Sequence, residues 1–253
     1  MENGQKNALV TGAAKRLGRA IALELADRGW SVAVHHRGSK REAEETAAAI
    51  REKGVGAITV AADLSNEGEA GRLVADAAAD LGPLSALVNN ASIFQPDTIS
   101  TMSCESWEAH MAVNLRAPVL LAQAFAGQLG ENMHGVIVNL LDQRVLKPTP
   151  EFLSYGVTKA GLHWLTTTLA QSLAPRIRVN AVAPGPTLPS PRQSKEHFER
   201  QASSTLLERG ARPEDIAAAV GYLVEAQAVT GQTIAVDGGQ HLAWRSADAV
   251  GVE

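Results

Sequence analysis

Leu9-Val10-Thr11-Gly12-Ala13-Ala14-Lys15-Arg16-Leu17-Gly18-Arg19 lies between a short apolar run and a segment of helical period, and the reading of its two glycines decides the fold. Gly12 permits a tight turn where a strand ends, and Gly18 lets the next helix pack closely on a sheet. The first N–H groups of that helix have no partners inside it and lie at the positive end of its dipole. A strand, turn and helix in this order suit the pyrophosphate of a dinucleotide. The rival phosphate loop, Gly-x4-Gly-Lys-Ser/Thr, fails because Arg19 and Ala20 follow Gly18.

Outward from this turn, short apolar or β-branched runs alternate with longer segments whose apolar residues recur three and four apart. That alternation predicts a doubly wound α/β fold, a seven-stranded parallel sheet with helices on both faces. Strands are expected at Ala8–Val10, Val32–His35, Ala57–Ala61, Ala86–Val88, Val136–Leu140, Arg178–Val182 and Thr233–Val236. Helices are expected at Arg19–Asp27, Arg41–Lys53, Glu67–Leu81, Trp107–Leu129, Tyr155–Leu173 and Pro213–Val224. No stretch resembles an interdomain linker, so residues 1–253 form one domain. Leu141–Leu153 and Pro184–Arg212 read as loops, the second a proline-containing substrate loop beyond a strand's carboxyl end, and 244–253 as a short tail.

Composition excludes several classes of partner. A formal net charge of −4 provides no basic field for nucleic acid. No apolar run reaches the ~18 residues that a membrane span needs. The polar start Met1-Glu-Asn-Gly-Gln-Lys6 lacks the apolar stretch of an export signal, and Cys104 is the only cysteine, so the expected location is the reducing cytoplasm.

The second strand identifies the nicotinamide cofactor. NAD-selective enzymes of this architecture place an acidic residue about 20 positions after the turn. Here the strand ends His35-His36-Arg37-Gly38-Ser39-Lys40 without one. A cation and a hydroxyl are available for a 2′-phosphate, Lys15 adds a second cation from the turn, and NADPH is the expected cofactor. His35 and His36 are not a metal pair, since adjacent strand residues point to opposite faces. No metal site is expected.

Tyr155-Gly-Val-Thr-Lys159 places a phenol and an ammonium four apart, on one helix face. Lys159 is expected to favour the tyrosinate and bring the phenol below its reference pKa of ~10, for general acid/base work.

Together these motifs resemble the short-chain dehydrogenase/reductase family, whose Rossmann fold and cofactor turn Thr-Gly-x-x-x-(Gly or Arg)-x-Gly match Thr11–Gly18. The resemblance continues through Asp63-Leu64, Asn89-Asn90-Ala91, Asn114, Pro184-Gly185 and Asp237-Gly238-Gly239. It implies that Gly12, Lys15, Arg16, Leu17, Gly18, His36, Arg37, Ser39, Asp63, Leu64, Asn90, Ala91, Ser92, Tyr155, Lys159, Pro184, Gly185 and Thr187 contact NADP(H). Of these, Asn90 and Ala91 fall on the adenosine side and Pro184, Gly185 and Thr187 at the nicotinamide. Asn114 would organise a proton-relay water with Lys159, and the family implies a homotetramer.

Asp142 departs from the common pattern: it stands 13 residues before Tyr155, where the family usually has serine. A carboxyl group there can hold and pass a proton. Thr-Gly-Ala-Ala-Lys-Arg-Leu-Gly, Asp142 and Phe94 together resemble the pteridine reductase and dihydromonapterin reductase branch. Phe94 would stack on a flat pterin ring, with Arg16, Ser92, Asp142 and Tyr155 completing the substrate site. The resemblance therefore implies reduction of a pterin C=N bond. Carbonyl reduction of a sugar, steroid or acyl substrate is the alternative within enzymes, and a non-catalytic NADP sensor the alternative outside them.

Overall fold

Along the central strands successive buried side chains face opposite sides of the sheet, and this period of two divides the interior between its faces. In the computed structural model, which describes residues 6–190 and 192–244, the strands are β1 (Asn7–Val10), β2 (Ser31–His36), β3 (Ala57–Ala61), β4 (Ala86–Asn89), β5 (Gly135–Leu140), β6 (Ile177–Pro184) and β7 (Thr233–Val236). They form one parallel sheet in the order β3-β2-β1-β4-β5-β6-β7. Of the expected tail, all but Trp244 lies outside the described residues.

Helices cover both faces. Val10, Val34, Val88 and Val138 pack with Ile21 and Leu25 of α1 (Arg16–Asp27), Ile50 of α2 (Lys40–Arg51) and Ile216 and Leu223 of α8 (Pro213–Glu225). On the other face Leu9, Leu87, Ile137 and Val179 meet Leu73 of α3 (Glu67–Leu81) and Leu121 and Phe125 of α5 (Ala117–Gln128). At ~1.5–3 kcal/mol for each large side chain taken from water, these two apolar layers supply the main force holding the sheet.

The strand order reverses between β1 and β4. The chain leaves β1 toward β2 on one side and returns to β4 on the other, which opens a crevice at the strands' carboxyl ends.

Two expectations about helices need correction. Trp107–Leu129 is not one helix: α4 (Cys104–His110) passes into a π-helical turn, Met111–Arg116, before α5 begins. Pro118 has no N–H to give the carbonyl of Asn114, and Ala117 N–H reaches back five residues to Ala112 O. The loop Pro184–Arg212 contains a helix, α7 (Lys195–Ser203), none of whose residues is buried. In the other loop, a 3₁₀ turn at Gln143–Val145 precedes α6 (Leu153–Leu173). Among the described residues no helix is long and apolar enough to cross a membrane, and no cluster of His, Cys, Asp and Glu could hold a metal.

Candidate active site

The turn after β1 is shaped by two places where no Cβ fits. Gly12 has φ +64°, and a Cβ on Gly18 would stand 2.1 Å from the carbonyl oxygen of Gly12. Thr11 pins the neighbouring strand ends: its hydroxyl oxygen accepts the N–H groups of Asn90 and Ala91, both at 2.9 Å, and donates to Val88 O at 3.2 Å. Asn90 Nδ2 returns a bond to Thr11 O at 2.8 Å. His35 reaches across from β2, where Nδ1 accepts Gly12 N–H at 2.9 Å while Nε2 donates to Ala62 O at 3.1 Å. Burial brings the pKa of this imidazole down to about 4, so it is neutral at pH 7.

Arg16 occupies the middle position of the turn with φ 54°, in the left-handed region that favours glycine. Its guanidinium donates to the carbonyls of Leu188 and Pro189, at 3.4 and 3.1 Å, which ties the turn to the loop beyond β6.

A cleft of about 920 Å³ runs across these strand ends. Gly12, Lys15, Arg16, Leu17, Gly18, Arg37, Asp63, Leu64, Asn90, Ala91, Ser92, Phe94, Asp142, Tyr155, Pro184, Gly185 and Thr187 all line it. Four expected site residues do not. His36 is buried, with Nδ1 unpartnered among the described residues, because the strand's alternation turns His35 rather than His36 into the cleft. Ser39 immediately precedes α2, outside the cleft lining. Asn114 and Lys159 lie behind the cleft wall, 1% and 3% exposed. The cleft fits a dinucleotide: the floor of the turn is bare backbone that a side chain would fill, and Lys15 and Arg37 flank one end.

Asn114 sits in the π-helical turn, which rotates its amide toward the strand ends. Its Oδ1 accepts Ile93 N–H and its Nδ2 donates to Ile93 O, both at 2.9 Å. Lys159 Nζ donates to Leu140 O at 2.7 Å and lies 5.6 Å from the Tyr155 ring centre. Burial lowers its pKa to about 8.

Tyr155 Oη donates to Asp142 Oδ2 at 3.0 Å. This overturns the expected acidification of the phenol: burial and then the Asp142 carboxylate push its pKa well above the ordinary value. Lys159 does not offset them, since its ammonium is directed to the Leu140 carbonyl. Arg144, absent from the sequence reading, pairs with Asp142 Oδ2 at 3.0 Å through its guanidinium, and its N–H donates to Oδ1 at 2.9 Å. Phe94 stacks on Phe152 with ring centres 4.3 Å apart and planes 7° from parallel, and meets Tyr155 edge-on at 4.7 Å. The sequence reading gave no role to His35, Arg144 or Phe152, and it named Thr11 only as the first residue of the turn motif. His35 carried a visible signal, a polar residue at a strand's carboxyl end.

A parallel sheet with a glycine turn at its switch point, a tyrosine bonded to a carboxylate in one cleft and a buried lysine behind its wall define a dinucleotide-dependent oxidoreductase. The family model described as enoyl-(acyl carrier protein) reductase matches residues 12–241. The chain belongs to the short-chain dehydrogenase/reductase family and is NADP-dependent. It is similar to a 3-oxoacyl-[acyl-carrier-protein] reductase, FabG, of Staphylococcus aureus, at 36% identity over 94% of this chain and 98% of that one. The crystal structure of FolM alternative dihydrofolate reductase 1 from Brucella suis in complex with NADP superposes with a TM-score of 0.92, at 48% identity over 96% of this chain and 97% of that one. The angucycline C-6 ketoreductase LanV with bound NADP superposes at 0.87, with 31% identity over 94% and 96%.

Proposed function

We propose that this enzyme reduces a C=N bond in a pterin ring, with Tyr155 donating the proton. The observation that carries the reading is the aromatic wall of Phe94 standing at Tyr155 while the phenol is bonded to a carboxylate, Asp142, in place of a serine. A flat heterocycle gains from such a wall, and a nitrogen with its adjacent carbon is the acceptor that a proton and a hydride convert.

Gly12, Arg16, Leu17 and Gly18 would hold the pyrophosphate of NADPH, and Lys15 and Arg37 its 2′-phosphate. Asp63, Leu64, Asn90 and Ala91 would flank the adenosine, with Ser92, Pro184, Gly185 and Thr187 at the nicotinamide. The bound cofactor supplies hydride. A phenol pushed up in pKa stays protonated at every working pH, so Tyr155 is always loaded, and its anion regains a proton readily. Lys159, titrating near 8, lies close enough to neutrality to exchange one. Arg144 bonds both oxygens of Asp142 and so fixes the group that orients the phenol, and Asn114 fixes the Ile93 backbone.

The dihydrofolate reductase named among the similar structures supports this reading, while the FabG and LanV likenesses favour a second, reduction of a ketone. NADPH oxidation against dihydropterins, dihydrofolate, quinones and simple ketones separates them, and failure on every dihydropterin removes the pterin reading. We also infer a homotetramer, supported by exposed Val157 and Trp164 on α6 and Tyr222 on α8, which leave apolar surface for partner copies, and a cytoplasmic location, in keeping with Cys104 as the only cysteine of the sequence.

A further inference from the structure

One carboxylate joins the segment after β4 to the start of α6. Asp97 lies three residues beyond Phe94, and Ser154 immediately precedes Tyr155. The main-chain oxygen of Asp97 accepts Leu153 N–H at 3.2 Å, its Oδ1 accepts Ser154 N–H at 3.1 Å, and its Oδ2 accepts the Ser154 hydroxyl. Asp97 is 5% exposed and Ser154 fully buried.

A helix opens with N–H groups that have no partner inside it, and a side chain just before the first turn usually accepts them. α6 has no such local cap. The residue before it, Phe152, stands at φ 58°, ψ 48°, and its side chain accepts nothing. Asp97 provides the missing acceptors from 57 residues upstream and sets a negative charge at the positive end of the helix. The two segments touch a second time through the stacked rings of Phe94 and Phe152. Tyr155 follows directly on this double attachment.

We propose that Asp97 is a positioning residue, capping α6 from a distance so that Tyr155 is held against Asp142 and the Phe94–Phe152 wall stays beside it. The inference rests on the reading of Tyr155 as proton donor, and is independent of the pterin substrate.

Its test needs no substrate. The chain has two tyrosines, and Tyr222 is exposed, so in a Tyr222→Phe background the ultraviolet absorbance of tyrosinate reports Tyr155 alone. In that parent the phenol is expected to stay silent up to the alkaline limit at which circular dichroism shows the fold intact. Asp97→Ala is expected to bring ionisation below that limit, by about one pH unit or more, as the phenol separates from Asp142 and meets water. Asp97→Asn keeps the acceptor for Ser154 N–H and an amide for its hydroxyl, and is expected to restore the silent behaviour. NADPH affinity should change less than about threefold in both, since the turn is untouched. If Asp97→Ala merely melts at lower temperature and its phenol stays silent, Asp97 is a stabilising residue only and the proposal fails. It fails equally if Asp97→Asn titrates as Asp97→Ala does, because charge and not contact would then be responsible. Should Asp97→Ala not fold, Ser154→Ala, which deletes one contact, must show the same change at smaller size, and no change there overturns the proposal. Tyr155→Phe with full turnover would sink the donor reading and leave the absorbance result standing.

Discussion

Gly12 donates its amide hydrogen to Nδ1 of His35 at 2.9 Å, so the first glycine of the cofactor turn is held by a side chain whose acceptor nitrogen a proton would abolish. The folded-state pKa is about 4 against an ordinary 6.5, and the unfolded chain therefore binds the proton more readily. Stability from this group is complete above pH 6.5 and declines as pH falls toward 4.

Denaturant unfolding at pH 7 and pH 5 is expected to show about 2 kcal/mol of that loss at the lower pH. His35→Asn should remove this part of the pH dependence. An unfolding free energy whose fall between the two pH values is the same in both proteins would contradict the assignment.

Arg37 lines the cleft where a 2′-phosphate would lie, and no acidic residue stands at that strand end to bind ribose hydroxyls in its place. Arg37→Ala should weaken NADPH about tenfold and leave NADH nearly unchanged. Titration of both cofactors checks it, and equal losses would dissociate Arg37 from the phosphate.

Tyr155→Phe deletes the transferable proton and little volume. Turnover should fall at least ~100-fold with NADPH affinity intact. Single-turnover kinetics with the best substrate of the panel give the measure, and a rate close to the parent's excludes the phenol from the reaction.

Asp142 pushes the Tyr155 phenol upward, so Asp142→Ser should let it ionise at lower pH. The same change should reduce turnover of a dihydropterin while sparing a simple ketone, for which serine is the common arrangement. Pterin and ketone rates that move together would make Asp142 a purely structural cap of the 3₁₀ turn.

Phe94→Ala takes away one half of a stacked pair and should raise the pterin KM about two- to tenfold. The kcat should move less, since the proton donor is untouched. An unchanged KM would place the ring outside the substrate site.

Every strand was legible to within a residue or two, because apolar runs punctuated by glycine and long amphipathic segments leave little choice in a parallel sheet. The π-helical turn was not, since apolar spacing looks the same on either side of it, and Pro118 was its one sign. α7 was hidden for a related reason: a helix that buries nothing leaves no apolar stripe in the sequence. At the site, the motifs and the family resemblance found 17 of the cleft-lining residues but misjudged the phenol. Lys159 is four residues from Tyr155 and Asp142 is 13 away, yet the carboxylate is the group bonded to it. His35, Phe152 and Asp97 act through contacts made only when separate elements converge, and no local period announces such contacts; Arg144 meets Asp142 two residues away, within one turn that no apolar pattern marks.

The two apolar layers close without help from α7, whose nine residues stand on the surface beside the cleft mouth. Selection can therefore rewrite that helix for a new small molecule at almost no cost to folding. Here the adaptable part of the protein and the part that makes it durable are different stretches of one chain.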